Sequence, residues 1–164
     1  MLLIGIGNCS RRDDGLGWAF LDKIKKKMPT GVELIYKYQL NIEDAEMISE
    51  TDTVIFIDAF SGELENGFSF EKCLPVDSFE FTTHALSPGV IVSLCKNLYD
   101  TEPKAFVLKI RGFEWELKDG LSQLAETNLQ KALKFFVNEI DIEAANARIN
   151  KPALQENINN PSYN

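Results

Sequence analysis

Residues 1–17, MLLIGIGNCSRRDDGLG, decide how the rest of the chain is read. Leu2, Leu3, Ile4 and Ile6 form an apolar run without polar alternation, the pattern of a strand buried on both faces of a parallel sheet. Gly5 and Gly7 allow a tight turn, since glycine tolerates positive φ. A polar loop from Cys9 to Arg12 follows, then Asp13, Asp14 and Gly15, and then Trp18, Phe20, Leu21 and Ile24 at helical spacing. The spacing predicts a helix from Asp14 to Met28 with an acidic start.

Beyond this unit the pattern alternates. Val32–Tyr38 reads as a strand, Ile42–Glu50 as a short helix capped by Asn41, and Thr53–Ile57 as a second continuous apolar strand ending on Asp58. Phe68–Leu74 alternates like a half-buried edge strand running antiparallel. Ser87 and Pro88 are a helix start in two residues, a capping hydroxyl followed by proline at the first helical position. Val90, Ile91, Leu94, Leu98 and Tyr99 continue that helix on one expected apolar face. Lys104–Ile110 is a further strand, and Gln123–Ile140 a last helix capped by Ser122 with Leu124, Leu129, Leu133, Phe136 and Val137 on its stripe. The alternation predicts a three-layer α/β/α sandwich around a mostly parallel sheet of about five strands. Residues 1–143 form the expected domain; from Ala144 to Asn164 the composition turns asparagine-rich, the mark of a poorly ordered tail with a short helical start.

A chain of 164 residues buries enough surface to fold without staples. The net charge of −8 argues against nucleic acid, and the basic run Lys23–Lys27 falls at a helix C-terminus, where cations complement the dipole. The apolar start is too short for a signal peptide, and no apolar stretch approaches a membrane span, so a cytoplasmic protein is expected. Cys9, Cys73 and Cys95 lack the spacing of a disulfide framework or a cysteine zinc site.

One histidine, His84, is the sharpest constraint, because it forbids any site with two histidine ligands from a single chain. Taken singly, three polar residues have ordinary explanations. Asp14 and Asp13 could cap a helix, Asp58 could begin a turn, and His84 could be a plain loop residue. Taken together they are more specific, since the loops after the first and third strands share one crevice and the loop carrying His84 reaches its rim. Two carboxylates and one imidazole leave coordination positions open, which suits Ni²⁺ or Zn²⁺ better than Mg²⁺ or Ca²⁺. Two rival readings are weaker. A dinucleotide loop would place its third glycine at Ser10, and two aspartates at the helix start would repel a pyrophosphate. A hydrolase triad using Ser87 or Cys9 with His84 lacks a nucleophile elbow.

The sequence also resembles the hydrogenase maturation proteases, the endopeptidases that trim the C-terminus of nickel–iron hydrogenase large subunits. GIGNCSRRDDGLG is similar to that family's GxGNxxxxDDGxG signature. Further correspondence lies in Gln39-Leu40, in VIFIDA at Val54–Ala59, in THALSP at Thr83–Pro88, and in Gly112 with Gly120-Leu121-Ser122. The resemblance implies that Asp14, Asp58 and His84 are the catalytic and metal-recognising residues, which leaves Asp13 as the better candidate for the helix cap. It implies that they bind nickel already held by the precursor subunit, rather than a permanent cofactor, and that a C-terminal extension is then cleaved. Gly7 and Asn8 are candidate substrate-positioning residues, with loop shaping the simpler role for Asn8. The competing reading is a non-catalytic metal-binding or docking module for a metalloprotein precursor. The loop Glu114–Asp119, including Trp115, has no role legible in sequence.

Overall fold

A computed structural model describes residues 1–76 and 86–149; His84 and the chain beyond Ile149 lie outside them. Five strands form one sheet: β1 (Leu2–Ile6), β2 (Glu33–Lys37), β3 (Thr53–Phe60), β4 (Phe68–Lys72) and β5 (Lys104–Arg111). Their order is β2-β1-β3-β5-β4, with every neighbouring pair parallel except the antiparallel β4–β5 edge. Helices α1 (Leu16–Ile24), α2 (Asp44–Ser49), α3 (Pro88–Tyr99) and α4 (Gln123–Ile149) complete the layers. The expected α/β sandwich is therefore the observed one.

Strand period sorts the core into two halves. Leu2, Ile4, Ile6, Val54, Phe56 and Val107 face Ile48 of α2 and Ile91 and Cys95 of α3. Leu3, Ile55, Ile57, Leu108 and Ile110 face Leu16, Phe20 and Leu21 of α1 and Leu129 and Phe136 of α4. Phe20 and Phe136 meet edge to face across the α1–α4 contact, with ring centroids 5.2 Å apart. Close approach of α1 to the sheet depends on Gly17, where a Cβ would lie 2.3 Å from the Ile6 carbonyl oxygen and 2.5 Å from that of Ile57.

Several boundaries differ from the sequence pattern for local reasons. The first helix begins as a 3₁₀ turn over Arg12–Gly15, becomes α-helical only at Leu16, and ends in a second 3₁₀ turn over Lys25–Lys27. Asn41 does not cap α2 with its side chain. Instead its backbone N–H donates to Asp44 Oδ2 at 2.8 Å, while Asp44 Oδ1 pairs with Lys37 Nζ at 2.7 Å, which explains why an aspartate is fully buried there. On α3, Leu98 and Tyr99 are exposed and the buried stripe is Ile91, Val92 and Cys95. On α4, Leu124 is exposed and Ala125 takes its expected place in the core. That helix also continues past Ile140 to Ile149, carried by Ala144, Ala145, Ala147 and Arg148, all strong helix formers. Ser87 and Ser122 are the caps that the pattern predicted, accepting from the N–H groups of Val90 and Ala125 respectively. No helix among the described residues is long and apolar enough to cross a membrane.

Candidate active site

The chain passes from β1 to β2 on one side and then to β3 on the other, so the carboxyl ends of β1 and β3 border the switch point of the sheet, the usual ligand crevice of such folds. Asp14 arrives there on the loop after β1. Asp58 arrives on β3 itself, because that strand runs three residues further than its apolar core suggests. Pairing with β1 stops at Ile57, while pairing with β5 continues to Phe60. Asp58 is thus the first residue of β3 to pass the end of its β1 ladder, held in line by Lys109 on the other side.

The glycine loop aims Asp14 through backbone contacts. Gly7 has φ +127°, and a Cβ on it would fall 1.8 Å from the Asp14 carbonyl oxygen. Its N–H donates to the Lys37 carbonyl, and the Asn8 N–H donates to that of Asp14 at 3.2 Å. The Asn8 side chain accepts from the Ser10 N–H at 3.0 Å, an Asx turn that shapes the loop. Both residues therefore have structural work independent of substrate.

Asp13 is not the helix cap that sequence reasoning expected. It is fully buried, accepting from the N–H groups of Phe113 at 2.7 Å, Glu114 at 3.0 Å and Ser122 at 2.7 Å and from the Ser122 hydroxyl at 2.7 Å. Burial works to raise its pKa, and these hydrogen bonds outweigh it and hold the carboxyl below the ordinary 3.8. The loop Glu114–Asp119 thereby acquires a role: it clasps the glycine loop. Arg12, in a left-handed conformation at φ 51°, pairs with Glu114 at 2.8 Å and with Glu116 at 3.3 Å, and the Lys118 N–H donates to the Ser10 carbonyl at 3.0 Å. Nothing local in sequence announces this clasp, since its partners lie 100 to 109 residues from Asp13. The Gly112 and Gly120-Leu121-Ser122 correspondences were the only signal.

Asp14 and Asp58 form a carboxylate pair, and among the described residues no cation lies on it. Among the described residues no hydrogen bond or ion pair engages the Asp14 carboxylate, and the Asp58 carboxylate accepts only the N–H of Ala59, at 2.8 Å. Burial raises the Asp58 pKa, the Ala59 N–H lowers it, and the Asp14 charge raises it further, to about 7. A half-buried acid whose pKa is raised beside a second acid favours the approach of a cation. Among the described residues no group of three metal-ligating side chains is assembled; the expected third member, His84, is outside them. Two residues on from His84, Leu86 bridges Leu40 just beyond the carboxyl end of β2, at the same end of the sheet. Cys9 is exposed, and all three cysteines are free.

Comparison with known proteins agrees with this architecture. The hydrogenase maturating endopeptidase HybD of E. coli superposes with a TM-score of 0.67 over 87% of this chain and 92% of its own, at 17% identity. The [NiFe] hydrogenase maturation protease HycI of Thermococcus kodakarensis gives 0.66 over 84% and 89%, at 22% identity. This is the hydrogenase maturation protease fold. By sequence, a Methanocaldococcus jannaschii protein provisionally named a hydrogenase maturation protease is 24% identical over 154 residues, 85% of this chain and 96% of that protein. No family model matches the chain. Resemblance by sequence and by structure thus leads to one set of proteins, the hydrogenase maturation proteases, in agreement with the signature in residues 5–17.

Proposed function

We propose that this chain is the endopeptidase that recognises nickel in the precursor of a nickel–iron hydrogenase large subunit and removes the subunit's C-terminal extension. The observation that carries the proposal is the Asp14–Asp58 pair, two carboxylates at the switch point that no cation among the described residues neutralises. In this reading the cation belongs to the substrate: nickel docks on Asp14 and Asp58, and His84 supplies the third ligand. The scissile peptide is thereby fixed in the crevice, and holding it there turns an encounter into an effectively unimolecular reaction. Hydrolysis requires water to lose a proton as its oxygen attacks the carbonyl carbon, and the leaving nitrogen to gain one as the C–N bond breaks. The metal, or a carboxylate acting on water, would activate that attack. We place the reaction in the cytoplasm, a compartment that suits three free cysteines.

The test is incubation with nickel-loaded and nickel-free precursor, followed by mass measurement of the product. Loss of a C-terminal peptide only from the nickel-loaded form is expected. Asp14→Asn, Asp58→Asn and His84→Ala should each lower cleavage by at least about 100-fold, the scale of losing a positioned acid–base or ligand group. A stable complex without cleavage would refute the enzyme reading, and full activity in His84→Ala would refute the three-ligand model.

A further inference from the structure

Lys109 stands in the middle of a polar row on the face of the sheet covered by α2 and α3. Register sets Asp58 of β3 directly beside it on one side and Ser69 of β4 on the other. Residues paired in this way carry side chains on one face with Cβ atoms about 5 Å apart, well within reach of a lysine stem. An ammonium so placed would be expected on the half-buried Asp58 carboxylate. It is found elsewhere: Lys109 Nζ lies 2.5 Å from Glu71 Oε1 and 5.5 Å from the centroid of the Phe60 ring. Glu71 and Asp58 thus flank the same cation from opposite strands, and Glu71 holds it.

We infer that Glu71 is a positioning residue, which by engaging Lys109 keeps the ammonium off Asp58 and leaves the Asp14–Asp58 pair open to a divalent cation. The inference rests on reading that pair as the cation-binding site. Without Glu71 the ammonium swings across one strand spacing, pairs with Asp58 and competes with the metal. If Lys109 then occupies Asp58 for 90 to 99% of the time, apparent metal affinity falls roughly ten- to hundred-fold, because only the open fraction binds. Both partners are partly exposed, so Glu71→Gln removes the pair without opening the core.

The experiment titrates Ni²⁺ alone into the full chain by calorimetry, for the wild type, Glu71→Gln, Lys109→Met and the double variant. Glu71→Gln should weaken binding roughly ten- to hundred-fold, and adding Lys109→Met should restore it to within about threefold of the wild type. A role for Glu71 confined to β4 structure would not be rescued by removing the lysine. Crystal structures of metal-free Glu71→Gln provide the second readout, with Lys109 Nζ expected within salt-bridge distance of the Asp58 carboxylate. Unchanged affinity in Glu71→Gln, a loss that the double variant does not restore, or a lysine that stays away from Asp58 would each overturn the inference. A wild type that binds no Ni²⁺ would instead count against the proposed function, and the crystallographic result alone would then decide the role of Glu71.

Discussion

Replacing Asp13 should unfasten the site without touching Asp14 or Asp58. Its carboxylate accepts four hydrogen bonds between 2.7 and 3.0 Å and has no exposed surface. Hydrogen bonds to a charged acceptor contribute about 1.5–3 kcal/mol each, but they share one group and do not add. Asp13→Ala leaves three backbone N–H groups without their acceptor, and part of that cost is recovered when the 113–122 loop opens to water. A net loss of about 3–5 kcal/mol is expected, comparable to removing one partner of a buried charged network. Asp13→Asn keeps the shape but turns an NH₂ toward donors, so about 2–4 kcal/mol is expected. The pH dependence has a definite sign. The folded-state pKa is depressed, so the stabilisation is fully present above the unfolded value near 3.8 and is lost as pH falls through the folded value. The gap between wild type and Asp13→Asn should therefore narrow below pH 4 and be constant from pH 5 to 8. Urea unfolding followed by Trp18 and Trp115 fluorescence measures it, with hydrogen exchange at Phe113, Glu114 and Ser122 reporting whether the clasp has opened. A loss under 1 kcal/mol at pH 7, or undiminished protection at those amides, would show that Asp13 does not hold the clasp.

Other expectations follow from the same contacts. Asp58→Asn should stabilise the fold at pH 8 while abolishing metal binding, because the rise from 3.8 to about 7 corresponds to at most about 4 kcal/mol of strain in the ionised state; thermal unfolding at pH 5 and pH 8 tests it, the gain being larger at pH 8. In the wild type, whose Asp58 has a raised folded pKa, stability should fall as pH rises from about 4 to about 7, where the folded chain holds more protons than the unfolded one. Ni²⁺ binding should weaken as pH drops below about 7 and release a proton, measurable by calorimetry in buffers of different ionisation enthalpy. Asp14→Asn should lower the Asp58 pKa by removing a neighbouring negative charge, as read by carboxyl carbon NMR. Gly17→Ala should cost at least about 3 kcal/mol or prevent folding, since its Cβ would meet two strand carbonyl oxygens within 2.5 Å; a soluble variant with unchanged Tm would contradict the packing described.

The layer order, the strand and helix types and the two caps at Ser87 and Ser122 were legible in the sequence. These follow from periodicities and cap chemistry that act within a few residues. Asp58 stood out as the end of an apolar strand at the carboxyl edge of the sheet, and Asp14 through the resemblance of GIGNCSRRDDGLG to the family signature. Sequence reasoning also took Asp13 for the cap of the first helix, since an acid at a helix start ordinarily has that role. Tertiary structure decided otherwise: the 3₁₀ turn over Arg12–Gly15 brings Asp13 to donors from a loop 100 residues away, while Asp14 lies near enough to Asp58 for its charge to act there. The extension of β3 through Asp58 to Phe60, and the choice of Lys109 for Glu71 over Asp58, were likewise set by strand partners distant in sequence. Local rules fix which residues can form an element, whereas the charge state and direction of each acid depend on what the folded chain brings beside it.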